Sequence, residues 1–147
     1  MRERITHQLV TVQRLQEVKN ALSGASAELF KRKTYALANI EAVLSPLGMT
    51  LLERVAEEQH YDLRQKEGAQ QALEHTLREL SRVEIATITL AVDLPYRFLT
   101  EVQGMLEKQL EADMVLEVQV DRRIGAGLML WWRGSYYDFS AQKALFA

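Results

Sequence analysis

Three histidines are the residues of this sequence best suited to bind a metal ion or to move a proton. His7, His60 and His75 are far apart, and no two of them stand at the spacing that places ligands on one face of a helix. The chain has no cysteine that could complete a ligand set. A solvent-facing or capping role is therefore favoured for each histidine, and the sequence predicts no metal site.

Two glycines, Gly125 and Gly127, suggest a phosphate-binding loop at first sight. The dinucleotide fingerprint, however, needs a third glycine at a fixed offset and a helix directly after it. The residues that follow, 128–132, are apolar and typical of a strand. We therefore expect no nucleotide and no other cofactor.

Charged clusters give catalysis no better support. The basic run 31–33 has no aromatic residues between its charges, and the formal net charge is −2, so no nucleic-acid partner is expected. Glu57, Glu58 and Asp62 supply carboxylates on a helix predicted to be exposed, where nothing would raise a carboxyl pKa for acid–base work. The sequence predicts a protein that is not an enzyme.

Composition indicates a soluble protein with a true core. Of the 147 residues 48% are apolar and 26% charged, a balance that suits one domain, or one small domain with a helical appendage. Apolar runs fall far short of the roughly 20 residues that span a bilayer. The first residues do not resemble a signal peptide. These features predict a cytoplasmic protein without direct membrane insertion.

Residues 1–82 are predicted to be helical almost throughout, in two or three helices. Apolar residues recur there at steps of three or four, at Ile5, Leu9, Val12, Leu15, Val18 and Leu22. Ser23-Gly24 is expected to interrupt this pattern, and Pro46 is the clearest helix breaker. A further helix is expected over 50–81, with Thr50 as its N-cap. Its middle has few apolar residues, so the helix is expected either to bend near Gly68 or to project partly into solvent.

The pattern changes to a small α+β domain over 83–147. Strands are predicted over 83–92, 114–120 and 127–132, with a helix over 96–112 between the first two. Arg133-Gly134 is predicted to form a tight turn, and Ser140 to cap a closing helix over 141–146. The predicted order is βαββα, which gives a small sheet packed with helices.

Adjacent tryptophans on the last predicted strand carry most of the functional signal. Successive strand residues point to opposite faces of a sheet, so Trp131 and Trp132 should lie on different faces. One face needs a second cover, supplied either by the N-terminal helices or by a partner protein, because interface cores are enriched in aromatic residues. The candidate partner-binding residues are Trp131, Trp132, Tyr136 and Tyr137.

The end of the chain resembles the C-terminal domain of the ATP synthase delta (OSCP) family. In that family an acidic residue precedes a pair of small residues, an apolar strand, a turn, and a second short strand that ends ahead of a helix containing a leucine. The matching positions are Asp121, Gly125, Gly127, the strand 128–132, Gly134, Tyr136, Tyr137, Asp138, Ser140 and Leu145. The resemblance covers roughly residues 83–146, and it implies structural roles for Asp121, Gly125, Gly127, Gly134, Asp138 and Ser140.

The resemblance implies a mechanical function. Delta-like subunits are non-catalytic parts of the peripheral stalk of a rotary F-type ATP synthase, which must resist the torque of the rotor. The implied partners are the b-type stalk helices and the α/β hexamer. Residues 1–82 are too short for the six-helix N-terminal domain of that family, and are expected to form fewer, longer helices.

Two other interpretations stay open on sequence grounds. One is a stator protein of a V-type ATPase or of a flagellar or type III secretion export apparatus, since those proteins also join a helical stalk to an α+β head. The other is a generic protein-binding module whose sheet face receives a peptide or a helix.

Overall fold

The computed structural model of the chain describes residues 5–31 and 33–140. They divide into two compact units: a helical unit of residues 14–82, and a sheet unit in which residues 5–13 join residues 83–140. In chain order the elements are α1 Ile5–Leu9, α2 Val12–Lys31, α3 Leu37–Glu41, α4 Pro46–Gln59, α5 Lys66–Ser81, β1 Glu84–Leu90, α6 Tyr96–Leu110, β2 Met114–Val120, a short 3-10 turn Arg122–Ile124, β3 Gly127–Trp132 and β4 Ser135–Ser140.

The first long helix, α2, is continuous through Ser23-Gly24, where the sequence predicted an interruption. A single helical glycine costs only about 1 kcal/mol relative to alanine. On either side of it Leu22, Ala25 and Leu29 are buried on one face of the helix, and burying two leucines outweighs that cost.

Helix α4 begins earlier than predicted. The Ser45 hydroxyl accepts a hydrogen bond from the Gly48 amide at 3.1 Å, which makes Ser45 the N-cap, and Pro46 is the first helical residue. Pro46, which was predicted to break a helix, is therefore the first residue of α4. Thr50, the predicted N-cap, lies inside α4, where its hydroxyl donates to the Pro46 carbonyl at 2.9 Å.

The single helix predicted over 50–81 is two helices, and the break comes before Gly68. His60 ends α4 in a left-handed conformation, with φ of 61°. The chain then turns back, and Gly68 in the first turn of α5 lies against the Asp62 carbonyl, so close that a Cβ at Gly68 would be 2.1 Å from that oxygen. The glycine permits a tight approach of two backbone segments; it does not bend a helix.

The sheet unit contains a mixed sheet of four strands in the order β2-β1-β3-β4. Strands β1 and β2 are parallel and are joined through α6, whereas β3 pairs with β1 and β4 in antiparallel fashion. The core on one face comprises Val10, Ala86, Ile88, Leu90, Leu99, Leu106, Met114, Leu116, Leu128, Leu130 and Trp132. The predicted α+β class is confirmed. Strand β4 follows the predicted turn, and the expected helix over 141–146 lies outside the described residues.

The turn between β3 and β4 gives a test of the hairpin. Arg133 and Gly134 both have positive φ, 50° and 75°, which is the type I′ geometry that favours glycine. Gly134→Val should lower the free energy of unfolding by about 1–2 kcal/mol, because a β-branched residue resists this conformation. Gly134→Asn should lose less, since asparagine tolerates it. Urea unfolding of both variants checks this, and equal midpoints for the two would contradict the turn assignment.

Candidate partner-binding site

The two tryptophans of β3 lie on opposite faces of the sheet. Trp132 is only 6% exposed and belongs to the core, together with Leu128 and Leu130 on the same face. Trp131 is 53% exposed and points the other way. Strand alternation produces this separation, so each strand residue of β3 contributes either to the core or to the open face.

The open face carries an aromatic cluster. Tyr136 of β4 stands directly opposite Trp131, their ring centroids are 6.4 Å apart, and Tyr136 is also 53% exposed. On β1, Thr87 stands opposite Trp131, and Ile85, two residues before it, is 46% exposed. We call the set of Ile85, Thr87, Met129, Trp131 and Tyr136 the aromatic face. Such an exposed cluster is characteristic of a surface that binds a partner.

The other two candidate residues lie on the opposite side of the sheet. Tyr137 is half-buried and packs against the core, and its ring stacks at 6.4 Å from that of Phe139. Trp132 is enclosed in the core. The structure thus brings Trp131 and Tyr136 together, and it separates Trp132 and Tyr137 from them.

Arg133 makes its side-chain contacts on the core side of the sheet, opposite the aromatic face. Its guanidinium donates two hydrogen bonds to the Glu84 carboxylate, at 2.7 and 2.8 Å, and lies 4.2 Å above the Trp132 ring. The hydrogen bonds to Glu84 raise the pKa of Arg133. This contact ties the turn after β3 to the first residue of β1, and planar two-point pairing favours arginine at this position.

The residues implied by the family pattern have clear structural settings. The Asp121 carboxylate accepts from the Arg123 amide at 3.0 Å and from its guanidinium at 2.9 and 3.0 Å, and these bonds lower the pKa of Asp121. Gly127 has a φ of 84° and pairs with Ser140, and Asp138 pairs with Met129. The predicted role of Ser140 as a helix cap depends on residues outside the described part.

Sequence reasoning missed Ile85 and Met129 as members of the aromatic face, although their alternation with buried neighbours was readable in both strands. It also missed the pair of Arg133 and Glu84, which are 49 residues apart. No local pattern indicates a contact of that kind.

Two of the three histidines make side-chain contacts, and His60 is the C-cap of α4. His75 lies 3.3 Å from Glu79 and 3.4 Å from the Tyr61 hydroxyl, and His7 lies 2.7 Å from Glu107. Within the described residues no group of three His, Cys, Asp or Glu side chains is placed to hold a metal ion.

Comparison with protein families decides what the chain is. Residues 3–147 match the family described as ATP synthase delta (OSCP) subunit. The chain belongs to this family. The match includes the helical region as well as residues 83–146, which carry the resemblance described from the sequence. Members are structural stator subunits, so the chain is a non-catalytic subunit of the peripheral stalk of an F-type ATP synthase.

A search of solved structures gives a weaker likeness. A chain in the cryo-EM structure of the Toxoplasma gondii mitochondrial ATP synthase hexamer aligns over 99% of this chain and 85% of its own length, with 13% identity and a TM-score of 0.36. The assignment to the family rests on the match over residues 3–147. No curated protein matches the chain.

The described helices of this delta-family subunit include none with both the length and the apolar character needed to cross a membrane.

Proposed function

We propose that this subunit links the α/β hexamer of the synthase to its b-type stalk helices, and that the aromatic face receives a b-type helix. The observation that carries the proposal is the pairing of Trp131 with Tyr136 on an open sheet face, each about half exposed. The helical unit, residues 14–82, is left to contact the hexamer. The subunit would then work in the cytoplasm, peripheral to the membrane and not inserted in it.

The chemistry of the aromatic face suits the apolar stripe of an amphipathic helix. Trp131 and Tyr136 offer large rigid rings with few rotatable bonds, so ordering them on binding costs little entropy. Ile85 widens the apolar area on the neighbouring strand. Thr87 lies between them, and Glu117 and Asp138 on the two flanking strands supply a polar margin. An apolar centre with a polar rim is the usual anatomy of a protein interface.

The same geometry suits a joint that carries torque. A force applied to Trp131 is distributed over the backbone hydrogen bonds that join β3 to β1 and to β4. The salt bridge from Arg133 to Glu84 connects the turn after β3 to the first residue of β1. A stalk joint needs such stiffness and contact area, and no reactive group.

Truncation of the exposed indole tests the docking site. Trp131→Ala should weaken binding of the b-type stalk segment by about tenfold or more, as loss of an aromatic anchor costs at least 1–2 kcal/mol. The melting temperature should stay close to that of the parent. Phe139→Ala is the matched control, because Phe139 is also an exposed aromatic residue of the sheet but does not belong to the aromatic face. Titration calorimetry with the stalk segment measures both affinities.

Two results would contradict the proposal. Trp131→Ala could bind as tightly as the parent chain, or Phe139→Ala could lose as much affinity as Trp131→Ala. The first would place the stalk helix elsewhere, and the second would show that the loss is not specific to the aromatic face.

A further inference from the structure

The first described segment of the chain is packed onto the sheet unit as a separate strap. We define the N-terminal strap as residues 5–11, which comprise α1, Val10 and Thr11. Helix α1 contacts both β2 and α6. The Leu116 amide of β2 donates a hydrogen bond of 2.7 Å to the Val10 carbonyl, and Thr11 forms an isolated parallel bridge with Leu116. The strap therefore covers part of the β2 edge.

A buried carboxylate holds the strap from below. Glu107 of α6 is almost fully buried, and its Oε2 accepts from the Thr6 hydroxyl and from the Met114 amide, each at 3.1 Å. Its Oε1 lies 2.7 Å from His7 Nε2. A carboxylate withdrawn from water needs such partners, and two of the three come from the strap.

A buried amide completes the floor beneath the strap. The Gln103 Nε2 group, one helical turn before Glu107, donates to the Thr6 carbonyl at 2.7 Å and to the Met114 carbonyl at 2.8 Å. Both of its protons are used, one on the strap and one on β2. Thr6, Gln103 and Glu107 therefore form one connected polar cluster inside the sheet unit. Thr6 is about 100 positions away from the other two residues in sequence.

The end of the strap is under backbone strain. Val10 has a φ of 63°, a left-handed conformation that is unfavourable for a β-branched residue. Its side chain is fully buried in the core of the sheet unit. Packing and the Leu116 hydrogen bond hold Val10 in this conformation, and release of the strap would remove the strain.

We propose that the N-terminal strap opens and closes as one unit, and that Glu107 is the residue that holds it closed. A helix of five residues does not persist alone in water, so α1 should lose its structure when it leaves. The floor that it uncovers includes Gln103 and Glu107, which water can solvate, so the rest of the sheet can survive the opening. Strain at Val10 favours release, and the hydrogen bonds to Glu107 oppose it.

Hydrogen exchange in the full chain tests the strap, with Leu116 as the reporter. Its amide donates to the strap, whereas the amides of β1 and β3 lie between paired strands. Thr6→Val keeps the shape of the side chain but removes the hydroxyl donor to Glu107. Because a hydrogen bond to a charged group is lost, exchange at Leu116 should rise by about ten- to a hundredfold. Exchange at β1 and β3 should not change, and Thr6→Ser should restore the parent rate.

A second variant protects the test against failure of the first to fold. His7→Ala removes a side chain that is 41% exposed and the contact with Glu107 Oε1, so the sheet should stay intact while exchange at Leu116 rises. Nuclear magnetic resonance resolves the individual amides. The proposal is overturned if exchange at Leu116 is unchanged in the variant that folds, or if it rises in step with β1 and β3, because the strap would then open only with global unfolding.

Discussion

Trp132→Ala is expected to lower the free energy of unfolding of the sheet unit by about 3–5 kcal/mol, the usual cost of removing a large buried aromatic side chain. Trp132 is almost fully buried and closes the core next to Ala86 and Leu130 on the same face. Trp131→Ala, one residue away, should cost less than about 0.5 kcal/mol, since its indole is half exposed. Urea unfolding of the two variants measures the difference.

Trp132→Phe distinguishes the contribution of the aromatic ring from that of the indole N–H. The buried indole Nε1 has no hydrogen-bond partner among the described residues, so phenylalanine loses contact area but no hydrogen bond. The loss should be clearly smaller than for Trp132→Ala, because the phenyl ring refills most of the space that the indole occupied. The cation–π contact with Arg133, at 4.2 Å, is retained with a phenyl ring. Comparable losses for Trp131→Ala and Trp132→Ala would show that the faces of β3 are assigned wrongly.

Gly68→Ala is expected to destabilise the helical unit by about 1–3 kcal/mol. The added Cβ would meet the Asp62 carbonyl oxygen at 2.1 Å, and a backbone atom cannot rotate away as a side chain can. The turn before α5 would have to move. Thermal or urea unfolding of the full chain measures the effect.

Gly104→Ala is the matched control, because Gly104 is also helical but has nothing within 4 Å of its Cβ position. At an exposed position inside a helix, alanine should raise stability by about 0.5–1 kcal/mol. The two substitutions are chemically identical and should have opposite signs. Stabilisation by both would mean that Asp62 does not lie against α5.

The sheet unit could be predicted largely from its sequence because strand alternation is a local signal. Alternation of apolar and polar residues predicts the strand over 114–120, and a continuous apolar run predicts the strand over 127–132. Within that strand, the opposite orientation of successive residues predicts that the two tryptophans separate. It does not predict which indole is buried. That depends on the pairing of Leu130 with Ile88, which are brought together only by the folded topology.

Helix boundaries were harder to predict for a physical reason. Thr50 with Glu53 satisfies the pattern of a capping box, but Ser45 caps the same helix five residues earlier, ahead of a proline that suits its first turn. The left-handed His60 carries only a weak signal, since histidine is less restricted at positive φ than most residues but far less suited to it than glycine. Local preferences of this size are small, and tertiary packing selects among them.

Polar contacts over long sequence separations could not be predicted at all. The sequence favours a solvent-facing or capping role for His7, and no local pattern marks Thr6 or Glu107 as buried. Their burial together depends on how α1, α6 and β2 meet. The predicted boundary at residue 82 remains a prediction about domains, and on its N-terminal side α1 contacts elements of the sheet unit.

The composition of the sheet unit from two distant stretches of chain has a consequence for synthesis on the ribosome. Val10 emerges early, but its partner Leu116 follows about 100 residues later, which at 5–20 residues per second is a delay of roughly 5–20 s. The helical unit is continuous in sequence and can fold within that interval. Leu9 and Val10 remain without their partners meanwhile, so the nascent chain carries an exposed apolar segment that a chaperone can recognise until β2 has emerged.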